Sequence, residues 1–139
     1  IFNTTTIQCG KETFPKLKLG NLEVSRDVLS AQDVANSAYL MLEKGDPKDY
    51  IVSSGNLYSN KLILEMAFKY VGINNWADFC YQDKSLFRPK DDNGQIFYSN
   101  VLEKDTGWKQ LVTVEDLLKE SIDYAIRRVY SSCDKQACS

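Results

Sequence analysis

Helical periodicity with punctuation at both ends constrains this chain more than any other feature. Ser30-Ala31-Gln32-Asp33 precedes a stretch in which Val34, Ala38, Met41 and Leu42 recur at helical spacing, with Tyr39 and Leu40 widening the stripe. Gly45 is placed to cap it and Pro47 follows as the stop. Ser59 caps a second helix whose stripe is Leu62, Ile63, Met66, Ala67, Tyr70 and Val71, ended by Gly72. Asn100 starts a short helix through Lys104 that Gly107 terminates. Thr113 opens the last one. Its hydroxyl can accept from the backbone N–H of Asp116, and Glu115 and Asp116 suit the positive helix N-terminus. Leu117, Leu118, Ser121, Ile122, Ala125 and Val129 continue the stripe, and Arg127-Arg128 sits where positive charge is favourable.

The segments between these helices read as short strands. Leu17, Leu19, Leu22 and Val24 alternate with Lys18 and Glu23 around a Gly20-Asn21 turn. Tyr50-Ile51-Val52 reads as a buried strand, and a further strand is expected near Phe79-Cys80-Tyr81. Residues 1–14 read as a short strand or an irregular arm, and Asp92-Asn93-Gly94 as a turn. Trp76 and Trp108 are expected in the core. Strands and helices alternate early and the end is helical, so the class is α/β, or α+β for the chain in isolation, with a few short strands and about four helices.

Composition narrows the function. The chain has 139 residues, enough for one core, with 17 Lys and Arg against 19 Asp and Glu. That balance provides no basic excess for a nucleic acid or an anionic membrane, and no apolar run is long enough to span a bilayer. There is no histidine, which removes Ser-His-Asp and Cys-His catalysis and His-ligated zinc. Cys9, Cys80, Cys133 and Cys138 form no Cys-x-x-Cys pair. Cys133 and Cys138 would close a small loop if oxidised, although two free thiols on a frayed end is the simpler reading. Asn3-Thr4-Thr5 fits the glycosylation acceptor pattern without a signal peptide to support it. The first residue is Ile1, which reads as a fragment, a processed product or an incomplete sequence.

The candidate sites are cationic. No glycine-rich phosphate loop and no Tyr-x-x-x-Lys pair is present. The chain has four arginines. Arg26 lies in a Ser25-Arg26-Asp27 turn expected between a strand and a helix, and Arg88 lies in Phe87-Arg88-Pro89, just before an acidic turn. The guanidinium fork suits two-point contact with a phosphate. Asp91 and Asp92 lack the remaining ligand pattern of a metal loop.

Leu17-Lys18-Leu19-Gly20-Asn21-Leu22-Glu23-Val24-Ser25-Arg26-Asp27 resembles the Leu-Gly-Asn-Leu-Asp/Glu-x-x-Arg-Asp-Trp stretch of the GDP-mannose 4,6-dehydratases. These are extended short-chain dehydrogenase/reductases. Asp33-Val34 and Tyr39-Leu40-Met41-Leu42 resemble their next helix, and Ser54-Gly55-Asn56-Leu57-Tyr58-Ser59 their Gly-x-x-Tyr-Ser turn. Phe87-Arg88-Pro89, Thr106-Gly107-Trp108-Lys109 and Val114-Glu115-Asp116-Leu117 resemble their Phe-Arg-Pro, Leu-Gly-Trp-Lys and closing-helix motifs. Ile1-Phe2-Asn3 is similar to the Phe-Asn that ends a core strand. The resemblance runs from residue 16 to about 128 and implies the C-terminal, substrate-binding part of that fold, without its N-terminal Rossmann half.

By resemblance, Asn3 would face the substrate, Arg26 and Arg88 would contact the diphosphate or ribose of GDP-mannose or a related nucleotide-sugar, and Asp91 would contact the ribose. The complete family enzyme would use NADP to oxidise C4, eliminate water across C5–C6 and return the hydride to C6. No catalytic residue and no cofactor contact is expected within this chain. It departs from the family in several places. Val28 replaces the Trp after Arg-Asp, Ser30 the following His and Asp91 the Glu after Phe-Arg-Pro, and the stretch between Asn3 and Leu17 is shorter.

Two functions follow as expectations. One is the nucleotide-sugar-binding portion of a dehydratase-like protein, not catalytic alone. The other is a structural subunit of a larger assembly. In the first the Rossmann half is on another chain or removed from the sequence, and a companion chain is expected over the face it leaves. Residues 1–128 are expected as one truncated domain and 129–139 as a polar tail. The expected compartment is the cytoplasm, or an organelle after processing of the N-terminus.

Overall fold

A computed structural model describes residues 15–45, 47–88 and 98–136, the last five as helix backbone. The chain runs β1 (Leu17–Leu19), β2 (Ser25–Asp27), α1 (Ala31–Lys44), β3 (Leu57–Ser59), α2 (Asn60–Tyr70), β4 (Cys80–Gln82), α3 (Val101–Thr106) and α4 (Val114–Gln136). Trp76–Asp78 and Lys84–Leu86 are single 3-10 turns on either side of β4. The expected mixed class, with short strands and four helices, is the one observed. β1 lies parallel to β4, with Leu17 opposite Cys80 and Leu19 opposite Gln82. β2 lies antiparallel to β3, with Arg26 opposite Tyr58.

The punctuation read from the sequence holds. Ser30 accepts from the Asp33 amide at 3.0 Å, Ser59 from Leu62 at 3.1 Å and Thr113 from Asp116 at 3.1 Å. Each satisfies one of the amides that a helix start leaves without a partner. Gly45 and Gly107 close α1 and α3 in the left-handed region, at φ 76° and 73°. The expected strand at Phe79-Cys80-Tyr81 forms one residue later. α4 continues unbroken past residue 128 to Gln136.

Four expectations are corrected. Ser25-Arg26-Asp27 is not a turn but β2, because β3 lies antiparallel beside it and pairs Arg26 with Tyr58. The other three concern Tyr50-Ile51-Val52, Trp76 and α1. Tyr50-Ile51-Val52 is not a strand. Ile51 is 44% exposed, and the Tyr50 hydroxyl donates to Asp105 at 3.3 Å beside α3. An apolar triplet is strand-like only where a neighbouring strand and a packed face accept it. Trp76 sits half-buried in its 3-10 turn instead of in the core. The third is α1. Val34, Ala38, Tyr39 and Leu42 point outward, and the buried positions are Asp33 and Ser37.

Asp33 explains this inversion. Its carboxylate accepts the backbone amides of Leu111 at 3.0 Å and Val112 at 3.1 Å, and its carbonyl accepts the indole N–H of Trp108 at 3.0 Å. Ser37 is buried with its hydroxyl donated to the Val34 carbonyl at 2.7 Å. These bonds turn the polar arc of α1 inward, beside the buried side chains of Leu102, Trp108 and Val114.

A second local feature is tested by mutation. Gly55 has φ 73°, and an added Cβ would stand 3.0 Å from the Tyr98 ring. Gly55→Ala is expected to cost about 1–2 kcal/mol in thermal or urea melts from backbone strain alone. Tyr98→Ala in the same chain should recover only the steric remainder.

Candidate functional site

The two candidate arginines within the described residues meet at one place. A cleft of about 420 Å³ is lined by Arg26 and Arg88 together with Asn21, Asn60 and an apolar floor that includes Leu22, Val24, Ile63 and Leu86. Both arginines are exposed. Asn3 and Asp91 lie outside the described residues, as do the N-terminal arm, the Asp92-Asn93-Gly94 turn, Cys9, Cys138 and the side chain of Cys133.

Arg26 is delivered by the β2–β3 pair. Next to it, the Asp27 carboxylate accepts the Ser54 amide at 3.0 Å and the Ser54 hydroxyl, which ties the end of β2 to the turn before β3. The start of α2 is tied to the same loop. Asn60 and Lys61 donate their amides to the carbonyls of Val24 and Leu22, both at 2.9 Å, and the Asn60 side chain donates to the Asn21 carbonyl at 2.9 Å. The α2 N-terminus therefore has its first amides engaged by protein and offers no open helix end to the cleft.

Arg88 is delivered by the β1–β4 pair. The Asp83 amide donates to the Leu19 carbonyl at 2.8 Å, and the Asp83 carboxylate accepts the Ser85 amide at 2.9 Å, turning the chain back across Gly20. Lys18 pairs with Asp83 at 3.6 Å. Asn21 and Asn60 were missed as cleft residues, because an asparagine beside a turn or after a helix cap has a local structural explanation in sequence.

Hydrogen bonds from Ser85, followed by Lys18, hold Asp83 below the usual carboxylate range. Lys48, which bonds Asp105 at 2.6 Å, does the same there. A depressed native pKa gives stability that is present above the unfolded carboxylate pKa and lost as pH falls through the native value. Thermal melts are therefore expected to fall below about pH 4. Asp83→Asn should lower the neutral plateau and so flatten part of that acid limb, with little change at the acid end.

Known proteins share the sequence and the fold of this chain. A family model described as GDP-mannose 4,6 dehydratase matches residues 2–121. GDP-mannose 4,6 dehydratase 1 of Arabidopsis thaliana is 36% identical over 117 residues, covering 84% of this chain and 32% of the relative. The Homo sapiens GDP-mannose 4,6 dehydratase is 33% identical over 120 residues, covering 75% of this chain and 32% of the relative. Among solved structures, RMD from Pseudomonas aeruginosa complexed with NADPH superposes with a TM-score of 0.64 at 26% identity, covering 74% of this chain and 33% of that one. UDP-glucose 4-epimerase from Bifidobacterium longum, in complex with NAD+ and UDP, has a TM-score of 0.61 at 16% identity, over 82% of this chain and 36% of that one, and shows the fold alone. The chain spans about a third of the length of the relatives it matches. It shares the short-chain dehydrogenase/reductase fold over that third and belongs to the GDP-mannose 4,6 dehydratase family.

Proposed function

We propose that this chain is the nucleotide-sugar-binding portion of a GDP-mannose 4,6-dehydratase-like protein and does not catalyse the reaction alone. The observation that carries the reading is the convergence of Arg26 and Arg88, distant in sequence, on one cleft with an apolar floor and two asparagines. Guanidiniums suit a diphosphate, carboxamides suit ribose or base edges, and apolar side chains suit the face of a ring. Asn3 and Asp91 join the proposed contacts on the family resemblance.

The residues present do not fit a dinucleotide cofactor. Among the described residues, the early amides of α2 and α4 that are paired by Val24, Leu22, Ser59 and Thr113 are not open to a pyrophosphate, and no glycine-rich turn precedes any helix. The NADP of the family reaction would be held by a companion chain or by another part of the protein. A second reading, a packing subunit in a larger assembly, is favoured by the many large apolar side chains left exposed, such as Leu42, Leu111 and Tyr130.

Calorimetric titration with GDP and with GDP-mannose tests the first reading, with UDP and free mannose as comparators. Saturable binding of the guanine nucleotides is expected. The absence of saturation at millimolar GDP would sink this reading for the chain and leave the packing subunit.

A further inference from the structure

Arg26 stands on a strand too short to hold itself. β2 and β3 have three residues each and, among the described residues, pair with no third strand. A two-stranded ribbon is marginal in water by itself. Whatever fixes the two ends of β2 therefore fixes the base of the Arg26 side chain. The end before Arg26 is fixed by α2, through the Asn60 amide on the Val24 carbonyl and the Lys61 amide on the Leu22 carbonyl. The end after it is fixed by Asp27. One carboxylate oxygen accepts the Ser54 hydroxyl, and the other accepts the Ser54 amide at 3.0 Å. The turn that supplies these donors is braced in its own right. The Ser54 hydroxyl oxygen accepts the Asn56 amide at 3.2 Å, and the Asn56 carboxamide donates to the Ser54 carbonyl at 3.1 Å. Side chains alternate between the two faces of a strand. Val24 and Arg26 line the cleft accordingly, while Asp27 and Ser54, both half-buried, do not.

We infer that Asp27, held by the Ser54 hydroxyl and amide, is a positioning residue that fixes the reach of Arg26 into the cleft and so sets the cleft's affinity for a diphosphate. This rests on the cleft being the nucleotide-sugar site proposed above. A guanidinium on a fixed base gives up less freedom on gripping a phosphate than one on a fraying strand, so Asp27 acts on affinity without touching the ligand. Charge alone would act with the opposite sign. Asp27 is a carboxylate one residue from the proposed phosphate contact, and removing its charge would strengthen the attraction for an anion.

The test is calorimetric titration of the chain with GDP and with inorganic pyrophosphate. Asp27→Asn and Ser54→Ala are each expected to weaken binding about two- to ten-fold. Ser54→Thr keeps the hydroxyl and should bind like the parent. In an Arg26→Ala background, Asp27→Asn should have no further effect on affinity, whereas in an Arg88→Ala background its effect should persist. A merely structural role would weaken binding equally in both backgrounds and lower the melting temperature. Ser54→Ala leaves the amide bond to Asp27 in place, which keeps the test readable where Asp27→Asn folds poorly. Unchanged or tighter binding in both Asp27→Asn and Ser54→Ala would overturn the inference, as would equal weakening in the two arginine backgrounds. A parent that binds pyrophosphate but not GDP would overturn the guanine-nucleotide reading alone, and the same variants would then decide the role of Asp27 on pyrophosphate. A parent that binds neither would overturn both.

Discussion

Asp33→Ala is expected to remove about 2–6 kcal/mol of stability, because it leaves the Leu111 and Val112 amides without their acceptor in a part-buried site. That is a large share of the total stability of an ordinary domain. Asp33 is 1% exposed, so water cannot take over the lost bonds without opening the junction of α1 with the segment before α4. Urea denaturation with linear extrapolation checks the value. Asp33→Asn keeps one acceptor oxygen and should cost about half as much. Trp108→Phe removes the indole donor to the Asp33 carbonyl, and the double variant should be non-additive because the two bonds share one junction. A loss below about 0.5 kcal/mol for Asp33→Ala would show that this junction does not hold α1 in place.

The second large effect is on binding. Arg88→Ala is expected to weaken GDP binding about ten- to hundred-fold, the worth of one charge-assisted contact. Arg26→Ala should do the same. The two losses should not add fully if both guanidiniums grip one diphosphate. Arg88→Lys separates charge from geometry. It keeps the positive charge but loses the fork, so it should recover only part of the affinity. Both arginines are exposed, so melts of these variants should stay close to the parent. Unchanged affinity in Arg26→Ala and Arg88→Ala together would remove the cleft from the reading.

Helix existence and helix ends were legible because their causes are local. Ser30, Ser59 and Thr113 each bond an amide three residues on, and Gly45 and Gly107 each take a left-handed φ at the helix end. The family was legible for a different reason. Its motifs around Arg26, Arg88 and Trp108 keep their order along the chain, and a family model matches residues 2–121. The face of α1 was not legible. Hydrophobic periodicity locates an apolar arc but not what lies against it, and here buried hydrogen bonds at Asp33 outweigh the pull of Val34 and Leu42 toward the core. Tyr50-Ile51-Val52 failed as a strand for a related reason: a strand is defined by its neighbour, which no three-residue run encodes.

The sequence by itself determined where this chain turns helical, which ends are capped, that histidine chemistry is absent, and which family its motifs resemble. Those properties depend on residues within a turn or two of one another, or on residue type alone. Only the tertiary structure decided that Arg26 and Arg88 share a cleft, because two separate strand pairs, β2 with β3 and β1 with β4, deliver them there. It also decided that α1 presents its apolar arc outward. Both outcomes depend on contacts between segments far apart in the chain, whose pairing is chosen by the summed free energy of the packed whole.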